Sequence, residues 1–158
     1  MKSLLLLSLM TLAALQGICR APNTGSISLN VTNSLFISYN NIDELLTPKI
    51  SDNSLELRVK TGASAYAVYA QVNFMDPFQN NSFAGKLSLR LRSNTSYNAN
   101  IKTPQVPLSN TPVLLFTQPA TGNPEEFQFF YDLVVGPFDS FVPTGVSNYT
   151  INITMTAP

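Results

Sequence analysis

The chain closes on Asn148-Tyr-Thr-Ile-Asn-Ile-Thr-Met-Thr156, where Asn148, Thr150, Asn152, Thr154 and Thr156 alternate with Tyr149, Ile151, Ile153 and Met155. A period of two puts one row of side chains in water and the other against a core, which is the signature of a half-buried antiparallel strand. The same alternation returns further back. Leu55, Leu57 and Val59 alternate with Glu56, Arg58 and Lys60, and Phe127, Phe129, Tyr131, Leu133 and Val135 alternate with Gln128, Phe130, Asp132 and Val134. Leu87, Leu89 and Leu91 form a shorter apolar row, as do Tyr66, Val68, Val72 and Phe74 around Ala70.

Near the start, Ile27, Leu29 and Val31 share one face, and Leu35, Ile37 and Tyr39 resume the rhythm. Val113 to Thr117, bracketed by Pro112 and Pro119, reads as a short buried strand. Gly62 to Ser64 predicts a hairpin between the strands on either side of it. The long polar stretch from Ser93 to Thr111, with Pro104 and Pro107, predicts a crossing between sheets. Between Asn40 and Asn53 the pattern breaks, and Ile42, Leu45 and Leu46 are compatible with one helical turn plugging the core or with an ordinary loop. The expectation is an all-β protein, an immunoglobulin-like two-sheet antiparallel β-sandwich of about 7–8 strands with Greek-key connections.

Lys2 followed by an apolar run from Ser3 to Leu15 has the layout of an export signal. The run is much shorter than the roughly 20 residues of a spanning helix. Gly17 and Cys19 place small residues for a cut before Arg20, and Cys19 and Ala21 for a cut before Pro22. Residues 1–21 are therefore expected to be a signal peptide, and 22–158 one sandwich domain in a secreted or cell-surface protein, with no transmembrane segment. Cys19 is the single cysteine. The mature chain is then expected to fold without disulfides, which a domain of this length can do by apolar burial. Small animal extracellular domains usually rely on such bridges, so a bacterial source is expected.

Composition narrows the chemistry. Nine basic residues balance nine acidic ones, and loss of Lys2 and Arg20 with the leader makes the chain slightly acidic, which argues against nucleic acid as a partner. There is no histidine, so Ser-His-Asp and Cys-His catalysis and the usual zinc sites are excluded. No cofactor is expected. Glu125 and Glu126, with Asp132 and Asp139, are the one acidic grouping that resembles a glycosidase pair, but adjacent glutamates at a strand entrance point to opposite sides. Asp76, Asn80 and Asn81 offer oxygen ligands in a loop without the spacing of a calcium motif. Arg58, Lys60, Lys86, Arg90 and Arg92 would form a basic stripe if their strands were neighbours, and otherwise guard sheet edges. Sequons begin at Asn30, Asn80, Asn94, Asn148 and Asn152. That is a mild excess over the roughly three that composition gives by chance.

Among the tyrosines, Tyr97 in its polar loop is the candidate for an exposed sugar or ligand contact. Phe138 and Phe141 read equally as a loop plug or an apolar tip.

The strand ending in Tyr131-Asp132-Leu133, the loop carrying Pro143 and Gly145, and the closing Tyr149–Thr156 strand resemble bacterial secreted pilin-like sandwiches of the fimbrial and spore-coat type. Gly145 stands four residues before Tyr149, where that pattern has two, and the paired cysteines of periplasmic pilins are absent. The resemblance implies a non-enzymatic structural or adhesive surface protein whose partner is itself or a surface glycan or protein. Ile27, Leu29 and Val31 would then form a self-association strand donated to a neighbour, or the same strand pairs within its own chain. A carbohydrate- or ligand-binding module is the alternative.

Overall fold

The computed structural model describes residues 25–31, 37–75, 85–138 and 148–157. The expected leader over 1–21, Phe141, Asp139 and the Asp76–Asn81 loop lie outside the described residues. Eight strands occur in the order β1 (Ser26–Val31), β2 (Lys49–Lys60), β3 (Tyr66–Phe74), β4 (Leu87–Asn94), β5 (Gln105–Pro107), β6 (Val113–Gln118), β7 (Glu126–Val135) and β8 (Tyr149–Thr156). They form two antiparallel sheets, β1-β2-β7-β4-β5 and β6-β3-β8, so the protein is a two-sheet β-sandwich. Among the described residues no helix is long and apolar enough to cross a membrane.

The alternating rows face each other between the sheets. Leu55, Leu57 and Val59 of β2, Leu87 and Leu89 of β4, and Phe129, Tyr131 and Leu133 of β7 meet Val68, Ala70 and Val72 of β3 and Phe116 of β6. The centre of this layer is a stacked aromatic pair, Phe116 on Phe129, with ring centroids 3.9 Å apart and planes 18° apart. Each ring is fully buried, so the pair combines a large transfer term with direct sheet-to-sheet contact.

One connection differs from the sequence reading, and a second follows it only at its end. No hairpin joins β2 to β3: Thr61 to Ala65 carries the chain from the larger sheet to the smaller. The crossing is tied down by Thr61, whose N–H donates to the Glu125 carbonyl at 2.8 Å and whose hydroxyl lies 2.8 Å from that of Thr121. Alternation tells which residues are buried but not which strand lies alongside, so a short turn between two alternating strands predicts a hairpin as readily as a crossing. The stretch from Ser93 to Thr111 does not cross at its middle, because β4 and β5 are neighbours in one sheet. The change of sheet comes at its end, between Leu108 and Pro112, so the stretch does carry the chain between sheets as expected. On the way, Asn100 forms an isolated bridge to Thr117 of the facing sheet.

Between β1 and β2 one 3₁₀ turn forms, Asp43–Leu46. Leu45 packs against the core, while Ile42 and Leu46 are exposed, so the plug is made by one leucine. Phe138 completes that end. It is only 3% exposed, packs edge-on against Tyr39 at 5.8 Å, and donates its N–H to the Leu45 carbonyl at 2.8 Å. Of the two readings of Phe138, plug or exposed tip, the plug is the one found, because apolar closure of the sandwich end takes the ring inside and away from any surface ligand.

Because Phe129 lies at the centre of the apolar layer, Phe129→Ala should lower unfolding free energy by about 3–5 kcal/mol. Equilibrium urea unfolding followed by circular dichroism measures it.

Candidate functional site

Three features outside the core carry chemistry. The first is a buried carboxylate on the outer side of the larger sheet. Between Ser51↔Leu133 and Leu55↔Tyr131 the β2–β7 register shifts, so Asp52, Asn53 and Ser54 bulge opposite Asp132. Asn53 takes up the left-handed conformation, φ 48°, which a short amide side chain tolerates better than most. That turns its N–H toward Asp132 Oδ1 at 2.8 Å. Arg90 Nη2 donates to Oδ2 at 2.7 Å, and Arg92 Nη1 donates to Oδ1 at 3.4 Å. Asp132 is 2% exposed. Burial alone would raise its pKa, but the Asn53 N–H and the two guanidinium groups outweigh it and hold the carboxyl below its ordinary value.

The second feature is the tip of the β4–β5 loop. Gln118, at the end of β6, is 0% exposed. It accepts a hydrogen bond from Ser96 Oγ at 2.9 Å and donates from Nε2 to Asn98 Oδ1 at 2.5 Å. Ala99 N–H donates in turn to Ser96 Oγ at 3.0 Å. A buried amide therefore pins the loop on both sides of Tyr97. Tyr97 itself is 72% exposed, with its hydroxyl donating to Glu125 Oε2 at 2.9 Å and its ring edge-on to Phe127 at 5.6 Å. The carboxylate bond is the main reason the phenol pKa is raised. The result is an aromatic ring held in one orientation in water, with a carboxylate beside it.

The third feature is an asymmetry of charge and edges. Every charged side chain in a strand lies on β2, β4 or β7, and the sheet β6-β3-β8 has none. On one flank of the sandwich the edge strands are guarded: β5 has three residues and ends in Pro107, and β6 is bracketed by prolines and bridged by Asn100. The other flank, β1 and β8, carries neither charge nor proline within its strands. Its inward side chains are also the least covered. Leu29 stands opposite Leu57 on the core side, yet is 44% exposed where Leu57 is 0%. Ile27, Ile151, Ile153 and Met155 are only partly buried.

The candidates named from sequence are thus scattered. Ile27 and Leu29 lie on the uncharged flank with the backbone of Val31, and β1 pairs with β2 of its own chain in register from Ser26↔Lys60 to Val31↔Leu55. Tyr97 is at the far loop tip and Phe138 in the core. The basic stripe does not form, because β7 separates β2 from β4. Arg58 turns instead to Glu56 at 2.7 Å, and Arg90 and Arg92 to Asp132. The acids separate likewise: Glu125 holds Tyr97, Glu126 lies 4.0 Å from Arg58, and Asp132 is inside the sheet's outer layer. Sequence reasoning missed the Gln118 network, since a glutamine before a proline looks like any turn residue.

Among the described residues no group of three His, Cys, Asp or Glu converges as a metal site. The sole cysteine lies outside them, so no disulfide links these strands. Comparison with protein-family models, curated proteins and solved structures finds no match. Fold and surface together define a small uncharged-edged β-sandwich domain.

A native pKa below the unfolded value means that Asp132 stabilises the fold fully above about pH 4 and loses this contribution as pH falls through the native pKa. Asp132→Asn should lower stability at neutral pH by about 2 kcal/mol, less than for a wholly buried pair because the arginines can return to water. It should also flatten the loss of stability below about pH 4. Urea unfolding over a pH series reads both effects.

Proposed function

We propose that this chain is a secreted, non-enzymatic structural or adhesive protein of a bacterial surface, similar in kind to pilin-like subunits, that associates with copies of itself. The observation that carries this reading is the one-sided distribution of edges. Natural sandwiches guard open strand edges with charge, proline, bulges or shortness, because an unguarded edge templates pairing with another chain. Here β5 and β6 are guarded and β1 and β8 are not, so the bare flank supports a role in contact. An Asn- and Thr-rich outer face on β8 fits a protein kept soluble by neutral groups. Light scattering of the exported chain from about 10 μM to about 1 mM should show mass rising above the monomer. A monomer throughout would overturn the reading.

A saccharide-binding role is the second reading, supported by the fixed Tyr97–Glu125 pair. A rigid ring offers its face to sugar C–H groups, the neighbouring carboxylate accepts from hydroxyls, and the ordering cost has already been met by the fold. Tyr97→Ala should reduce retention on an immobilised polysaccharide about tenfold, and Tyr97→Phe should retain most of it. Equal retention by native protein and Tyr97→Ala would exclude this site.

A further inference from the structure

We infer that β8 is the strand through which two copies join, antiparallel, β8 against β8 about a two-fold axis, so that their smaller sheets become one continuous sheet. The inference rests on the self-association proposed above and names its surface.

The geometry of β8 is what carries it. Its register with β3 runs without a shift from Ala67↔Thr156 to Phe74↔Tyr149, so the strand is regular along its whole length. Among the described residues β3 is its one hydrogen-bonded neighbour, leaving the other row of N–H and C=O groups turned away from the sheet. Thr150, Asn152, Thr154 and Thr156 are exposed on one face, and Ile151, Ile153 and Met155 are partly buried on the other.

This pattern complements itself. Antiparallel pairing places residues of one face opposite residues of the same face, so hydroxyl and amide side chains meet their like and the aliphatic residues meet aliphatic ones. No charge is brought against a like charge on either strand. The neighbouring strand β3 is uncharged as well, so nothing repels two copies that approach through this edge. An isologous contact of this kind requires one self-complementary patch, and β8 supplies it.

The β1 edge differs. Ser26, Ser28 and Asn30 stand opposite Lys60, Arg58 and Glu56, so the strand beside the β1 edge is charged where the strand beside β8 is not. The start of β1 is also tied down, because Gly25 N–H donates to the Tyr66 hydroxyl, and a Cβ at Gly25 would lie 2.5 Å from that ring. β1 therefore belongs to its own sandwich, with Leu29 adding apolar surface beside the β8 contact rather than serving as the donated strand.

The test compares three exported chains by sedimentation equilibrium: native, the double variant Asn152→Lys/Thr154→Lys, and Ser28→Glu on β1. Both β8 positions are exposed and face outward, so the variants keep their core contacts. The double variant should weaken the dimer about tenfold or more, since like charges then face each other across the axis, while Ser28→Glu stays within about twofold of native. A second readout needs no substitution: amide exchange over Ile151–Thr156 should slow as native protein is raised through the dimer range, with β5 and β6 unaffected. If native protein associates but the double variant matches it and β8 exchange does not change, this inference falls and the self-association reading stands. If native protein is monomeric at every concentration, both fall.

Discussion

Among the described residues the two sheets are held mainly by side-chain packing, and its central contact is the stack of Phe129 on Phe116. β7 occupies the middle of the larger sheet, and its inward row from Phe127 to Val135 is buried throughout. Strands on either side take their register from it: β2 over most of its length and β4 over nearly all of its own. Removing apolar area there would affect both sheets together, because interior packing transmits a void to every neighbour.

The same strand organises charge on its other side. Asp132 draws the Asn53 N–H, Arg90 and Arg92 onto one buried carboxylate, and the bulge in β2 exists where that carboxylate needs a donor. The arginines of β4 are consequently neutralised within their own sheet. Most charges of the strands are thus used for internal pairing on one side of the sandwich, and the opposite sheet presents only neutral groups to solvent. Such a surface neither attracts polyanions nor repels its own copy, which fits contact between like molecules better than electrostatic capture.

Individual strands were legible because alternation is a local property. The positions of β2, β7 and β8 and the identity of their buried rows follow from residues two apart, which take opposite sides of a pleated backbone. Tyr97 was legible as exposed because a lone aromatic among Asn and Ser has no apolar neighbours in sequence. Its fixation was not, since Glu125 and Phe127 reach it, and Gln118 reaches its neighbours Ser96 and Asn98, from distant parts of the chain. Phe138 stayed open between plug and tip, because a loop phenylalanine has no periodicity to report its burial, and Tyr39 and Leu45 that enclose it come from before β2.

The sequence by itself determined the all-β class, the buried face of each principal strand and the absence of imidazole chemistry, because each depends on residue type or on spacing of two. Only the tertiary structure decided which strand lies beside which. The Thr61–Ala65 turn could close a hairpin or change sheets with the same local pattern, and here it changes sheets, with Thr61 held to Glu125 and Thr121 where it leaves β2. That choice places β3 in the smaller sheet, leaves β8 at its edge, and so fixes which flank of the sandwich is bare. Edge or centre is a property of neighbours, and a strand's own residues cannot state it.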